Sequence, residues 1–144
     1  MRKGFSLLEF ILAVLILGIL LYIGIPKLNS YLYAERIKSF TYKLLADIDY
    51  TRSLAYKKGC SKIKFNSNNY EIISPCNGTV IKRLSIPKYV KVSTNLGKTC
   101  KENEIKFKRN ELPICSGNLT IKDKENRERY KIIFNVNTGE FRID

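Results

Sequence analysis

Histidine and tryptophan are absent from this 144-residue chain, and methionine occurs once. Without histidine the commonest general acid–base at neutral pH is missing, together with one of the two usual zinc ligands. The four cysteines, Cys60, Cys76, Cys100 and Cys115, form no Cys-x-x-Cys pair, so no metal motif is present and none is expected. Acids are scarce, 13 against 26 lysines and arginines, for a formal net charge of +13. Glu71, Glu111 and Asp123 stand apart among lysines. They read as solvated charges or surface pairs, not as a catalytic dyad or a calcium cluster. No glycine-rich phosphate loop occurs. The chain is therefore expected not to be an enzyme and to need no cofactor.

What the chain does have is concentrated at its start. Residues 5–25 form an apolar run with only Ser6 and Glu9 clearly polar. At about 1.5 Å per residue in a helix the run spans roughly 30 Å, the thickness of a bilayer's hydrocarbon core. Arg2 and Lys3 precede it, which predicts a cytoplasmic N-terminus by the positive-inside bias. No small-residue cleavage site follows; Gly24-Ile25-Pro26 leads directly into a polar helical pattern. The expected topology is a single-pass anchor with an exported C-terminal domain. Glu9 is the anomaly, because a carboxylate in the bilayer core costs roughly 2.5–3.5 kcal/mol even on the lenient insertion scale. It needs a partner or a function.

All four cysteines follow the anchor, and an even count in an exported domain favours disulfides. Three pairings are open. The expected one joins Cys60 with Cys76 and Cys100 with Cys115, since the first pair brackets Asn68 as cross-strand neighbours of a hairpin would. A loop of that size closed by a disulfide contributes roughly 3 kcal/mol.

Residues 27–58 continue the helical pattern. Tyr33, Ile37, Phe40, Leu44, Ile48 and Ala55 recur at steps of three, four or seven and predict one apolar stripe. Glu35, Lys38, Lys43, Asp47 and Asp49 fall between them as the expected polar face. Lys57, Lys58 and then Gly59 supply a C-terminal stop. Pro26 sits where the apolar and amphipathic halves meet, and proline inside a helix removes a hydrogen bond. After Gly59 the period changes to two. A hairpin is predicted across Asn66-Ser67-Asn68-Asn69, with further strands at 80–84, 89–93, 104–108, 118–122, 129–136 and 140–143. The mixed-charge stretch 122–129 is expected to be a mobile loop. The layout is α+β, a long N-terminal helix packed on an antiparallel β-sheet or sheets spanning 60–143.

Gly4-Phe5-Ser6-Leu7-Leu8-Glu9 closely resembles the class III signal of type IV prepilins and pseudopilins, and the layout resembles the pilin fold. Within that group, Asp49-Tyr50-Thr51-Arg52-Ser53-Leu54-Ala55 and the final Thr138-Gly139-Glu140-Phe141-Arg142 are similar to segments of the GspH/FimT type. The resemblance implies residues 1–4 as a leader, 5–26 as a transmembrane and filament-core helix, and 27–144 as an exported globular domain. It implies that a prepilin peptidase cleaves between Gly4 and Phe5 and methylates the new Phe5 amine. Glu9 would then pair with the N-terminal amine of a neighbouring subunit during assembly, and Pro26 would mark the place where pilin helices tolerate local melting.

The function so implied is structural: an inner-membrane minor pilin or pseudopilin, assembled with other pilins into the helical filament of a type II secretion pseudopilus or a type IV pilus. The alternative is DNA binding during natural transformation, as in FimT-like minor pilins. In that subgroup a Gly-Arg-x-Arg motif makes the contact; here Gly139-Glu140-Phe141-Arg142 has Glu140 in place of the first arginine. Lys106, Lys108 and Arg109 form a separate candidate DNA patch beside Arg142, within a basic stretch that also includes Lys98 and Lys101. A membrane-tethered enzyme or solute receptor is the third reading.

Overall fold

The computed structural model describes residues 7–97 and 103–144. Gly4, Phe5, Lys98, Cys100 and Lys101, which carry sequence-based expectations, lie outside the described residues. One helix, α1 (Leu7–Lys58), is followed by eight strands: β1 (Cys60–Phe65), β2 (Asn69–Ile73), β3 (Val80–Ser85), β4 (Val90–Leu96), β5 (Glu104–Lys108), β6 (Gly117–Asp123), β7 (Glu128–Phe134) and β8 (Phe141–Ile143). The chain divides into two units, Met1–Arg36 and Ile37–Asp144.

The described part of the first unit is wholly helical and includes Pro26 within α1. Its leucines, isoleucines and valines are exposed all round, as a segment apolar on every face must be without neighbours.

In the second unit the helix is one-sided. Ile37, Phe40, Leu44, Ile48 and Ala55 are buried, which is the expected stripe from Ile37 onward; Tyr33, in the first unit, is half-buried. Thr41 and Thr51 are buried within the same stripe, their hydroxyls donating to the carbonyls of Ile37 (2.9 Å) and Asp47 (2.7 Å). Such back-bonding satisfies a hydroxyl that would otherwise be buried alone. Gly59 ends the helix at φ +86°, its N–H donating to the Ala55 carbonyl at 2.8 Å. Only glycine adopts that left-handed cap without strain.

The strands form two four-stranded antiparallel sheets, β3-β2-β1-β5 and β4-β6-β7-β8. In the first, Ile63, Phe65, Tyr70, Ile72, Ile105 and Phe107 alternate inward and are buried. In the second the inward set is centred on Leu119, Ile121, Ile132 and Phe134. Phe141 joins the two cores, its ring centroid 6.0 Å from that of Phe107 and 5.4 Å from that of Phe134. The helix packs on these sheets, and the α+β architecture is the one read from the sequence, consistent with the pilin fold.

The expected hairpin is present, with Phe65 opposite Tyr70 and Lys62 opposite Ile73. Just past this ladder the hydroxyls of Ser61 and Ser74 hydrogen-bond at 2.7 Å, and Cys60 and Cys76 form the expected disulfide with a Cα separation of 5.4 Å. Cys115 is buried, and its expected partner Cys100 is outside the described residues.

Two expectations fail, both for carboxylates. Asp47, assigned to the polar face of the helix, is buried. Asp123, read as a solvated charge or surface pair in a mobile loop, is paired with Arg127 and Arg129 but is also buried, at the end of β6. The stretch 122–129 is a tight connection between β6 and β7, organised around that carboxylate. Both acids are buried because several donors converge on each, which makes desolvation tolerable.

Candidate functional site

Three features of the molecule bear on function: the apolar half of α1, the polar ties that fix its other half, and the basic outer faces of the sheets.

Among the described residues, α1 is the one helix long and apolar enough to cross a membrane. Glu9 lies exposed in its first turn. Pro26 is also exposed, inside the helix. From Leu7 to Ile25 the side chains other than Glu9 present an apolar surface, with Leu8, Phe10 and Leu12 among those more than half exposed.

Asp47 ties the helix to the first sheet. Its Oδ2 accepts a 2.6 Å hydrogen bond from the Tyr70 hydroxyl on β2, and its Oδ1 lies 2.7 Å from the Lys82 ammonium on β3. Burial raises the pKa of the Tyr70 phenol well above its ordinary range, and the hydrogen bond to the Asp47 carboxylate and that group's charge push it further the same way. Arg52 ties the helix elsewhere. Its Nε donates to the Glu111 carbonyl (3.3 Å), one terminal nitrogen reaches Asp49 (3.2 Å), and the guanidinium lies 5.4 Å from the Phe141 ring centroid. Gly139 sits at φ +65°, where an L side chain is strained, and an added Cβ would have to displace the end of the Leu112 side chain. The two segments that carried the GspH/FimT resemblance therefore meet in space, through Arg52 and Phe141.

Asp123 accepts hydrogen bonds from the backbone N–H groups of Glu125 and Arg127 and from the side chains of Arg127 and Arg129, the two arginines each at 2.9 Å. Burial alone would raise its pKa. The side-chain and backbone bonds from Arg127, with those from Arg129 and Glu125, outweigh that and hold the carboxyl at about 2.

The candidate DNA residues divide between two faces. Lys106 and Lys108 project from the outer face of β5, where Lys106 stands directly opposite Lys62 and Lys108 opposite Cys60. Lys64 continues the same face on β1. Its carboxylates are already engaged, Glu104 with Lys62 at 3.3 Å and Glu71 with Arg83 at 2.7 Å. Lys64, Lys106 and Lys108 thus carry its net charge, and exposed Arg109 follows immediately. Like charges directly opposite on a ladder are unfavourable, and here Glu104 offsets the charge of Lys62. Arg142 is elsewhere. It projects from the outer face of the second sheet, opposite Ile133, and lies 3.0 Å from Asp144. Glu140 is exposed at the start of the same hairpin arm.

Sequence reasoning missed Asp47, Tyr70 and Lys82 as a unit. The available signal was an acid at a helical position between the buried Leu44 and Ile48. Among the described residues no group of three or more metal-binding side chains converges. No family model matches the chain, and neither a curated protein nor a solved structure matches it.

Proposed function

We propose that the chain is a minor pilin or pseudopilin, a non-enzymatic subunit of a type II secretion pseudopilus or a type IV pilus. In this reading it is held in the inner membrane by residues 5–26, with its N-terminus cytoplasmic and its globular domain exported. The observation that carries the proposal is the division of α1 into an apolar half exposed on every side and a half whose stripe is buried in the domain's core. An all-apolar surface of that length must be covered by lipid or by other helices. A segment that exchanges one for the other suits a subunit extracted from a bilayer into a filament. Glu9 fits the same scheme, because a carboxylate surrounded by apolar side chains needs a counter-charge. The methylated amine of Phe5 in an adjacent subunit would supply it once the peptidase has cut after Gly4.

Mass spectrometry of the membrane fraction tests the processing step. The wild-type chain should begin at methylated Phe5, and a bulky replacement of Gly4 should leave the leader attached. Retention of Met1 in wild-type filaments would overturn the reading. Assembly is tested separately with Glu9→Leu, which should insert in the membrane yet be depleted from sheared filaments. Equal recovery of variant and wild type would remove Glu9 from the mechanism.

The second reading, a DNA-binding minor pilin, is favoured by one observation: Lys64, Lys106 and Lys108 share an outer sheet face whose carboxylates are already paired. Such a face would bind phosphates in a salt-dependent way.

A further inference from the structure

A trough runs between α1 and β3 in the second unit. It is lined by Ala46, Asp47 and Tyr50 of the helix and by Ile81 and Lys82 of the strand, with a volume of about 440 Å³. Three features make it more than a surface irregularity. β3 is the end strand of its sheet, and among the described residues its backbone pairs only with β2. Its other edge therefore presents unpaired N–H and C=O groups. The ladder also slips beside it. Val80 pairs with Ile73 and Lys82 with Ile72, leaving Ile81 as an extra residue. A bulge of this kind re-aims a side chain; here Ile81 and its neighbour Lys82 line the same trough, and Ile81 is 43% exposed. Finally, the charges that usually guard a sheet edge are occupied. Lys82 is held 2.7 Å from Asp47 and Arg83 2.7 Å from Glu71. A lysine repels an incoming strand through a free charge, not through one folded onto a carboxylate.

We infer that this trough is a strand-addition site. Its occupant is an extended segment of a separate protein with alternating apolar and acidic side chains, hydrogen-bonded along the outer edge of β3. Backbone pairing gives affinity in this mode, and pockets for alternate side chains give specificity. One apolar side chain of the incoming strand would lie between Ile81 and Tyr50, both 43% exposed. The choice of an acidic partner follows from charge. The chain carries +13, so a second copy brings the same sign, and exposed Lys43 lies one turn before Ala46 and Asp47 on this side of the helix. This inference stands apart from the pilin reading and does not depend on Glu9 or on cleavage after Gly4.

The test uses the full chain in detergent micelles and a capped peptide of alternating Val and Glu, about ten residues long to match a strand. Hydrogen exchange of the segment Val80–Ser85 is followed by mass spectrometry. The peptide should slow exchange in β3, and a version with a central proline should not. A Val-Lys counterpart should bind at least about tenfold more weakly. Ile81→Asp should abolish binding at an unchanged unfolding midpoint; Tyr50→Asp, on the opposite wall, provides a second variant should Ile81→Asp fold poorly. No protection of β3 by the Val-Glu peptide would overturn the inference, as would equal binding of the lysine version. Protection that appears without peptide and grows with protein concentration would assign the edge to a second copy and overturn it as well.

Discussion

The hydroxyl of Tyr70 donates a 2.6 Å hydrogen bond to the buried carboxylate of Asp47, joining the C-terminal part of the helix to the second strand. Lys82 closes on the other oxygen at 2.7 Å, so a single helical side chain is bound to two adjacent strands of one sheet. The arrangement is directional in a way that apolar packing is not: it sets the rotation of this half of α1 about its axis and its height along the sheet.

Removing Asp47 should therefore be costly. Asp47→Ala leaves the Tyr70 hydroxyl buried without an acceptor and Lys82 without its partner. Lys82 is 45% exposed and can return to water, so the loss should be about 2–3 kcal/mol, below that of a fully buried ion pair. Tyr70→Phe should lose about 1–2 kcal/mol. Urea denaturation of both single variants and the double variant would give the coupling, and additive losses would contradict the contact. The Tyr70 phenol also predicts an alkaline limb. Its pKa is raised in the folded state, so its contribution is complete below the ordinary value of 10.0 and is lost as pH rises above it. Tyr70→Phe should flatten that limb.

Asp123 predicts the opposite limb. Its carboxyl is held at about 2 in the folded chain against an ordinary 3.8. A lowered pKa stabilises the fold above the unfolded value, and the contribution disappears as pH falls from 3.8 towards 2. Asp123→Asn should make the unfolding midpoint less sensitive to pH across that window, followed by circular dichroism. An unchanged acid limb would show that other carboxylates dominate it.

The disulfide between Cys60 and Cys76 should contribute roughly 3 kcal/mol, mostly by restricting the unfolded chain. Replacing both cysteines by serine should lower stability by that order without changing the β1–β2 register, because that register is also held by buried Ile63, Phe65, Tyr70 and Ile72. Peptide mapping without reductant should recover the linked pair from wild type.

For the DNA-binding alternative, salt dependence and site variants separate a receptor from a merely basic protein. Neutralising Lys106, Lys108 and Arg109 together should weaken duplex binding more than Arg142→Ala, since Lys106 and Lys108 share an outer face with Lys64 whereas Arg142 is already paired with Asp144. Glu140→Arg should strengthen binding by removing a repulsive charge. The wild type should bind weakly and lose affinity steeply with salt, within the ~10⁻⁴–10⁻⁶ M range of non-specific contacts. Tight wild-type binding at physiological salt would make DNA the primary ligand.

Much of the architecture follows from local pattern. The apolar run before Pro26, the stripe from Ile37 to Ala55 and the cap at Gly59 each depend on neighbours within a turn or two. The alternation of Ile63 and Phe65 with lysines, and the polar quartet Asn66 to Asn69, likewise specify a hairpin with little help from elsewhere. The pairing of Cys60 with Cys76 was legible for the same reason, since one short hairpin brings both together.

Tertiary structure decided what depends on partners distant in the chain. Asp47 looks like a surface acid because its partners lie 23 and 35 residues away, and only the packing of α1 on β2 and β3 brings them to it. Asp123 resembles a loop charge until the β6–β7 connection turns two arginines and two backbone N–H groups onto one carboxylate. Period-two patterning specifies strands but not their order, so the division into two sheets and the joining of their cores through Phe141 were not written in any one segment. The same holds for the basic residues. Lys62 and Lys106 are 44 positions apart, and only strand pairing sets them face to face, while it carries Arg142 to the other sheet. Local periodicity determines which residues can be buried; long-range pairing determines which polar groups are buried with them, because a charge leaves water only where the fold has already assembled its partners.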